Sequence, residues 1–493
     1  MKKLSILIAC ALVAWAGLAD GVAVDDDIVG IPIPPKPASS QGQVVVYESA
    51  TRGPIKMMNC VNGAPHVEGS ASFRFWKNLE IPFGRTHDFG LVPSYGGSHS
   101  VDVASIFRNF EADENDPANY DFANTDMVLK RMRAAGTQPF YRLGGEYEGW
   151  LNKRYTVYPP KDPAKWARIC EHIVRHYNEG WASGFNWNIE YWEVWNEPDL
   201  MTDRDNGANG MFWAGPREKF VELFKTTLLH LKKCFPNIKV GGAAFAGPIS
   251  DWTKFLVADF ATNAIPLDFY SWHQYARNAN GFNGNAKAVR ELLDANGYTK
   301  TESIFDEWNY VKGWDQWDQE YSFSVERGRF VQKGAAFVAG ALCELQNQPV
   351  DMAMLYDAAT FARMNTLFDA VSGYPLPAYY ALYSWTKLRR LGTQVKATSS
   401  LEDVFVSAAR NEKGALGILV ARYDEDNNVT RPVIVTLRLA SGATFKGAQQ
   451  YLTDDYRTFT ETPLELNTDG SANLELRPCS FAFIACEAPE AAE

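Results

Sequence analysis

Cysteine is scarce in this chain and nowhere clustered. There are seven in 493 residues, none in a C-x-x-C spacing, which removes the usual thiolate metal sites. Cys10 lies in the N-terminal segment; Cys60, Cys170, Cys234, Cys343, Cys479 and Cys486 are scattered. Cys479 and Cys486 flank the strand-like SFAFIA, which if extended holds them roughly 23 Å apart, against about 5.5 Å between bridged Cα atoms. They are not expected to pair. Cys170 and Cys234 fall on apolar helix stripes and read as buried thiols. Lys/Arg-rich runs are missing and the formal net charge is -11, which argues against nucleic acid or an anionic membrane as partner. Beyond the N-terminus no stretch approaches the ~20 uninterrupted apolar residues of a spanning helix. Phosphate cradles are missing too: Gly96-Gly97 and Gly241-Gly242 sit in neither a G-x-G-x-x-G nor a G-x-x-x-x-G-K frame. His172 and His176 have the i, i+4 spacing of a zinc pair, but residue 173 is Ile, and the two read as a solvated helix face.

What is present is a long, apolar, aromatic chain: 46% hydrophobic, 13% aromatic, with 15 Trp and 22 Tyr. That exceeds one ordinary core and predicts two domains. Residues 1–23, MKKLSILIACALVAWAGLADGVA, have two lysines, an apolar run and then small residues, the pattern of a signal peptide for a secreted or periplasmic protein. Leu7-Ile8-Ala9-Cys10 is similar to a lipobox, but the apolar run before Cys10 is short, so a lipid anchor is the lesser expectation. Residues 24–42 are Pro- and Ser-rich and read as a linker.

From Ser72 to Ala359 short apolar runs alternate with amphipathic helices, the signature of βα units, within a barrel domain expected over 43–392. The expected strands are Ile81–Arg85, Val101–Phe107, Gln138–Leu143, Tyr191–Trp195, Lys239–Phe245, Asp268–His273, Ser303–Glu307 and Met352–Tyr356. Eight parallel strands predict an α/β fold of the (β/α)8 TIM-barrel type. Asp162-Pro163 opens one helix that Gly180 ends; Pro216 opens another that ends at Pro236-Asn237. Val44–Tyr47 is a strand whose partner is open to either domain. Residues 393–493 change to short alternating runs with Gly, Asn and Asp turns, which predicts an antiparallel β-sandwich.

The chemistry concentrates at two strand ends. YWEVWNEPDL delivers Asn196-Glu197 at the carboxyl end of the fourth strand, stopped by Pro198, and the seventh ends in Asp306-Glu307-Trp308-Asn309. Glutamates at the carboxyl ends of two strands of one barrel face can flank a common glycosidic bond. WEVWNEPDL and IFDEWN resemble the two catalytic strands of clan A glycoside hydrolases, most closely family 39, which includes β-xylosidases and α-L-iduronidases. DFYSWHQY and Arg85-Thr86-His87 resemble that family's sixth and first strands. The resemblance implies Glu197 as general acid/base and Glu307 as nucleophile of a retaining mechanism. It also implies contacts to the sugar or to the glutamates from Asn196, His87, Arg85, His273 and Tyr275; Glu146, after the third strand, and Trp308, beside Glu307, are further candidates for contact with the sugar. Asp88 and Asp306 depart from the family's common residues at those positions. The expected activity is an exo-acting, β-xylosidase-like cleavage of oligosaccharides without cofactor or metal. An endo-acting glycanase and a non-catalytic carbohydrate-binding barrel are the alternatives.

Overall fold

The structure, a computed structural model, describes residues 40–87, 101–145, 157–200, 212–313, 332–358 and 366–487. The expected signal peptide, Cys10, most of the expected linker, Asp88 and Glu146 lie outside the described residues. The first strand, β1 (Ser40–Pro54), does not join the barrel. It runs antiparallel to Thr393–Ser399 and parallel to Val433–Leu439, inside a nine-stranded sheet otherwise made of C-terminal residues. Val44–Tyr47 thus finds its partners in the second sheet, and residues from 43 to 54 that were grouped with the barrel belong to that sheet.

The barrel is closed by eight parallel strands in sequence order: β2 (Met57–Asn62), β3 (Phe83–Arg85), β4 (Gln138–Leu143), β5 (Tyr191–Val194), β6 (Lys239–Phe245), β7 (Phe269–Ala276), β8 (Glu302–Tyr310) and β9 (Met352–Leu355). One expected strand is replaced. Val101–Phe107 contains a short helix, Val103–Ile106, because Val103, Ile106 and Phe107 recur at helical spacing and are all buried. The strand that fills the gap, β2, reads MMNCVN, where Asn59 and Asn62 interrupt the apolar run. Both are fully buried; Asn59 donates to the Thr386 hydroxyl at 3.1 Å and Asn62 to the Asp306 carbonyl at 2.7 Å. Such partners are invisible in sequence.

Helices follow local rules. Pro163–Glu179 begins at Asp162, whose carboxylate accepts from the Ala164 and Lys165 N–H groups, and ends at Gly180 with φ 75°. Its buried stripe includes Trp166, Ile169, Cys170, Ile173, Val174 and Tyr177. His176 is a correction: it is buried, not solvated. Its Nε2 lies 3.0 Å from Asp126 and its Nδ1 2.9 Å from the Trp181 carbonyl, and its ring stacks on Phe122. Cys234, at the end of Arg217–Cys234, is only half-buried and sits 3.9 Å from His230, so it is a helix-end thiol and not a core one.

In the second sheet the strands Leu416–Arg422 and Ser480–Cys486 are buried on both faces, for two reasons. Ile418, Val420 and Ile484 point into the sheet's own core with Val44, Val395, Val435 and Leu474. Leu419, Ala421, Phe481 and Phe483 point the other way, onto the apolar cluster of the barrel. Helix Gln332–Leu345 touches both β8 and this sheet and is accordingly apolar nearly all round.

Candidate active site

The barrel interior is layered along the parallel strands. Cys60, Phe140, Tyr191, Phe269, Ile304, Met352 and Met354 fill the amino-terminal layer. Two residues further along come Glu193, Ser271 and Asp306, joined by Arg85 and Asn62. Beyond these, at the carboxyl ends, stand Asn196, Glu197, His273, Tyr275 and Glu307. That is the face where barrel strands and loops assemble chemistry.

Two local irregularities aim the glutamates. Along β7 and β8 the pairing runs Trp272 with Phe305 and then His273 with Glu307, so β8 carries one extra residue at this point. A bulge of this kind resets the inward-outward alternation. Ile304 and Asp306 face inward, and the extra residue lets Glu307 face inward as well. On β5 the strand stops at Val194; Trp195 and Glu197 then take φ of 76° and 43°, a strained region for side chains of this size. Trp195 packs outward against Trp166 and Trp213, while Asn196 and Glu197 face the interior. Gly144 permits this approach, since a Cβ there would lie 2.9 Å from the Trp195 Cα.

Arg85 is the hub. It is fully buried; Nε lies 2.7 Å from Glu193 and 3.1 Å from Asp306, Nη1 3.3 Å from Glu307 and 3.1 Å from Asn62, and Nη2 2.6 Å from Asn196 Oδ1. His273 Nδ1 lies 2.8 Å from Glu197 Oε1 and 3.5 Å from Glu307 Oε2, and Nε2 lies 3.6 Å from Asp306. The Tyr275 hydroxyl donates to Glu307 Oε1, and His87 Nε2 lies 4.0 Å from Glu307. Carboxylate oxygens of Glu197 and Glu307 lie within 4.8 Å of each other.

Burial and charge separate these acids. Burial raises Glu197 above the ordinary carboxyl range, with His273 opposing and Glu307 reinforcing it. Burial likewise pushes Glu193 up to about 8, against Arg85. At Asp306 burial also opposes ionisation, but Arg85 and His273 outweigh it and hold the group down at about 2. His273 is raised well above its ordinary value: the acids around it, Glu307 and Asp306 foremost, overcome the burial that would neutralise it.

The structure brings Glu197, Glu307, Asn196, Arg85, His87, His273 and Tyr275 together. Trp308, expected at the substrate, is a correction: the bulge turns it outward, fully buried between Phe282, Phe305 and Phe337. Glu193, Ser271 and Asn62 join the network unanticipated. Glu193 alone left a signal, a charge inside an apolar strand run.

Arg85 and Tyr275 already donate to Glu307, and the His273 imidazole lies between the two carboxyl groups, with Nδ1 2.8 Å from Glu197 and 3.5 Å from Glu307. Glu171, His230 and Cys234 form another close group on the outer helices, where Arg175 pairs with Glu171 at 2.8 Å.

The sequence profile of the glycosyl hydrolases family 39 matches residues 77–372. The chain is 31% identical over 184 residues to a beta-xylosidase of Caldicellulosiruptor saccharolyticus, covering 35% of this chain and 34% of that protein. It is 27% identical over 188 residues to a beta-xylosidase of Geobacillus stearothermophilus, covering 36% and 35%. The match thus spans about a third of the length of these curated relatives. In fold the chain is similar to a glucosidase from Croceicoccus marinus, with TM-score 0.72 at 20% identity over 91% of this chain and 99% of that one. It is also similar to a monomeric beta-xylosidase from Caulobacter crescentus, with TM-score 0.66 at 16% identity over 91% and 100%.

Proposed function

The chain belongs to glycosyl hydrolases family 39, and on that premise we propose that it is a retaining, exo-acting glycosidase of β-xyloside-type bonds. The observation that carries the reading is the closeness of the two carboxyl groups, with oxygens within 4.8 Å. Retaining enzymes keep their carboxyls about 5–5.5 Å apart so that one attacks directly; inverting enzymes need about 6.5–9.5 Å to admit a water. In the first step the Glu307 carboxylate, oriented by Arg85 and Tyr275, attacks the anomeric carbon as Glu197 gives its proton to the departing oxygen. In the second, Glu197 takes a proton from water, which displaces Glu307. The division suits Glu197, whose burial keeps it protonated above the usual carboxyl range. Asn196 is fully buried and its Nδ2 has no hydrogen-bond partner among the described residues, so it is free to donate to the sugar 2-hydroxyl.

The xyloside choice rests on the two relatives named beta-xylosidase. A panel of aryl glycosides tests it: turnover of another sugar with the xyloside untouched would remove the substrate and leave the mechanism. Proton NMR of the first-formed anomer tests the mechanism, which requires net retention. Glu197→Gln should slow a glycoside with a poor leaving group by roughly 10²–10⁴ and an activated aryl glycoside far less. Equal slowing of both would remove Glu197 as proton donor. Export by residues 1–23 is part of the same reading; intact mass of protein recovered outside the cytoplasm should lack them, or carry lipid at Cys10 if that cysteine is the anchor.

A further inference from the structure

Asp306 has no part in the steps above, yet its position is unusual. It is fully buried and neither carboxylate oxygen has a hydrogen-bond partner among the described residues. A buried carboxylate without donors is unfavourable unless opposite charges compensate it. Two do: Arg85 Nε at 3.1 Å and His273 Nε2 at 3.6 Å. On the other side of the ring, His273 Nδ1 lies 2.8 Å from Glu197 Oε1. An imidazole with a carboxyl group at each nitrogen can present N–H to both only as a cation. The β8 bulge is what makes this possible, because it turns Asp306 and Glu307 to the same interior.

We propose that Asp306 is a positioning residue that acts through His273: it holds the ring as an imidazolium whose Nδ1–H is directed at Glu197, and so sets how readily Glu197 yields its proton. The proposal rests on the reading of Glu197 as acid/base. When Glu197 transfers its proton to the leaving oxygen, the carboxylate that forms accepts a charge-assisted hydrogen bond from His273. The bond strengthens as the charge develops, and it offsets the burial that otherwise keeps Glu197 protonated. The remaining charged groups facing the ring do not replace Asp306. Glu307 is 3.5 Å away on the same Nδ1 side and is shared with Arg85 and Tyr275. Burial raises Asp199 above its ordinary value, and Glu193 is bound to Arg85 and Ser271.

The first test needs no turnover. In protein labelled with 15N-histidine, the His273 signal, identified by its loss in His273→Gln, should show both ring nitrogens protonated at neutral pH; a neutral ring there overturns the proposal. In Asp306→Asn, and in Asp306→Thr as a second replacement of similar size, the ring should titrate at lower pH. Glu197 should then become a weaker acid, and the alkaline limb of kcat/KM for a poor-leaving-group glycoside should move up by on the order of one pH unit. An unmoved limb, or one that moves down as direct loss of a negative charge would cause, overturns it. Retained turnover in Glu307→Ala would instead remove Glu307 as nucleophile and with it the proposed double displacement, and leave the NMR result standing.

Discussion

Glu307 and Trp308 are adjacent in sequence and face opposite ways. Simple alternation along β8 groups Trp308 with Asp306 and Ile304, toward the substrate. The extra residue at the bulge reverses this, and the indole fills a gap between Phe282, Phe305 and Phe337 with no exposure. Its loss is therefore a packing loss. Trp308→Ala should lower unfolding free energy in urea by about 3–5 kcal/mol while the folded fraction keeps its KM; a raised KM at unchanged stability would return Trp308 to the substrate. The neighbouring residues show how much of the site was legible. Glu197 and Glu307 are readable because an acid at a strand end beside Asn or Asp is a compact local pattern. Asn62 and Ser271 are not, and Glu193 shows only as a charge inside an apolar run: Asn62 and Glu193 matter through Arg85, which reaches them from another strand, and Ser271 through its hydrogen bond to Glu193.

At the scale of the element, the segment after β5 is the strained part of the site. Trp195 and Glu197 hold left-handed φ, and Gly144 from the neighbouring strand end lies close beneath. Gly144→Ala places a methyl 2.9 Å from the Trp195 Cα, a contact that backbone movement must relieve. We expect a stability loss of about 1–3 kcal/mol and a fall in kcat of several-fold, because Asn196 and Glu197 move with Trp195. Thermal unfolding and steady-state kinetics on the same preparation would check it; unchanged kcat would mean that the segment relaxes away from the site. The helices were the more readable elements. Asp162, Pro163 and Gly180 bound their helix by purely local rules, whereas β2 was hidden because its two asparagines are matched by partners hundreds of residues away.

For the whole molecule, a buried network of acids makes stability depend on pH in two opposed ways. Glu193 has its folded value raised to about 8 from an ordinary 4.5. Its contribution is fully present below about 4.5 and is lost as pH rises through about 8. Asp306 is held down at about 2 from 3.8, so its contribution is present above its ordinary value and lost as pH falls through about 2. Calorimetry across pH should show Tm declining from about pH 5 to 8. Glu193→Gln should flatten that decline and leave the loss below about pH 4 in place. A decline as steep in the variant as in the parent would remove Glu193 as its source.

The sequence by itself determined the repeating βα pattern, the ends of the best-bounded helices, the change of texture near residue 393 and the two glutamates, because each is written in neighbouring residues through period, capping and turn chemistry. Tertiary structure decided what depends on distant partners. It sent β1 to the second sheet, filled the barrel with β2, turned Trp308 outward, and gathered Arg85, Glu193, Asp306 and His273 into one charge network. The physical reason is the same in each case. Hydrogen bonds, ion pairs and bulge-dependent alternation are settled between strands, and a single strand read alone carries only half of each pair.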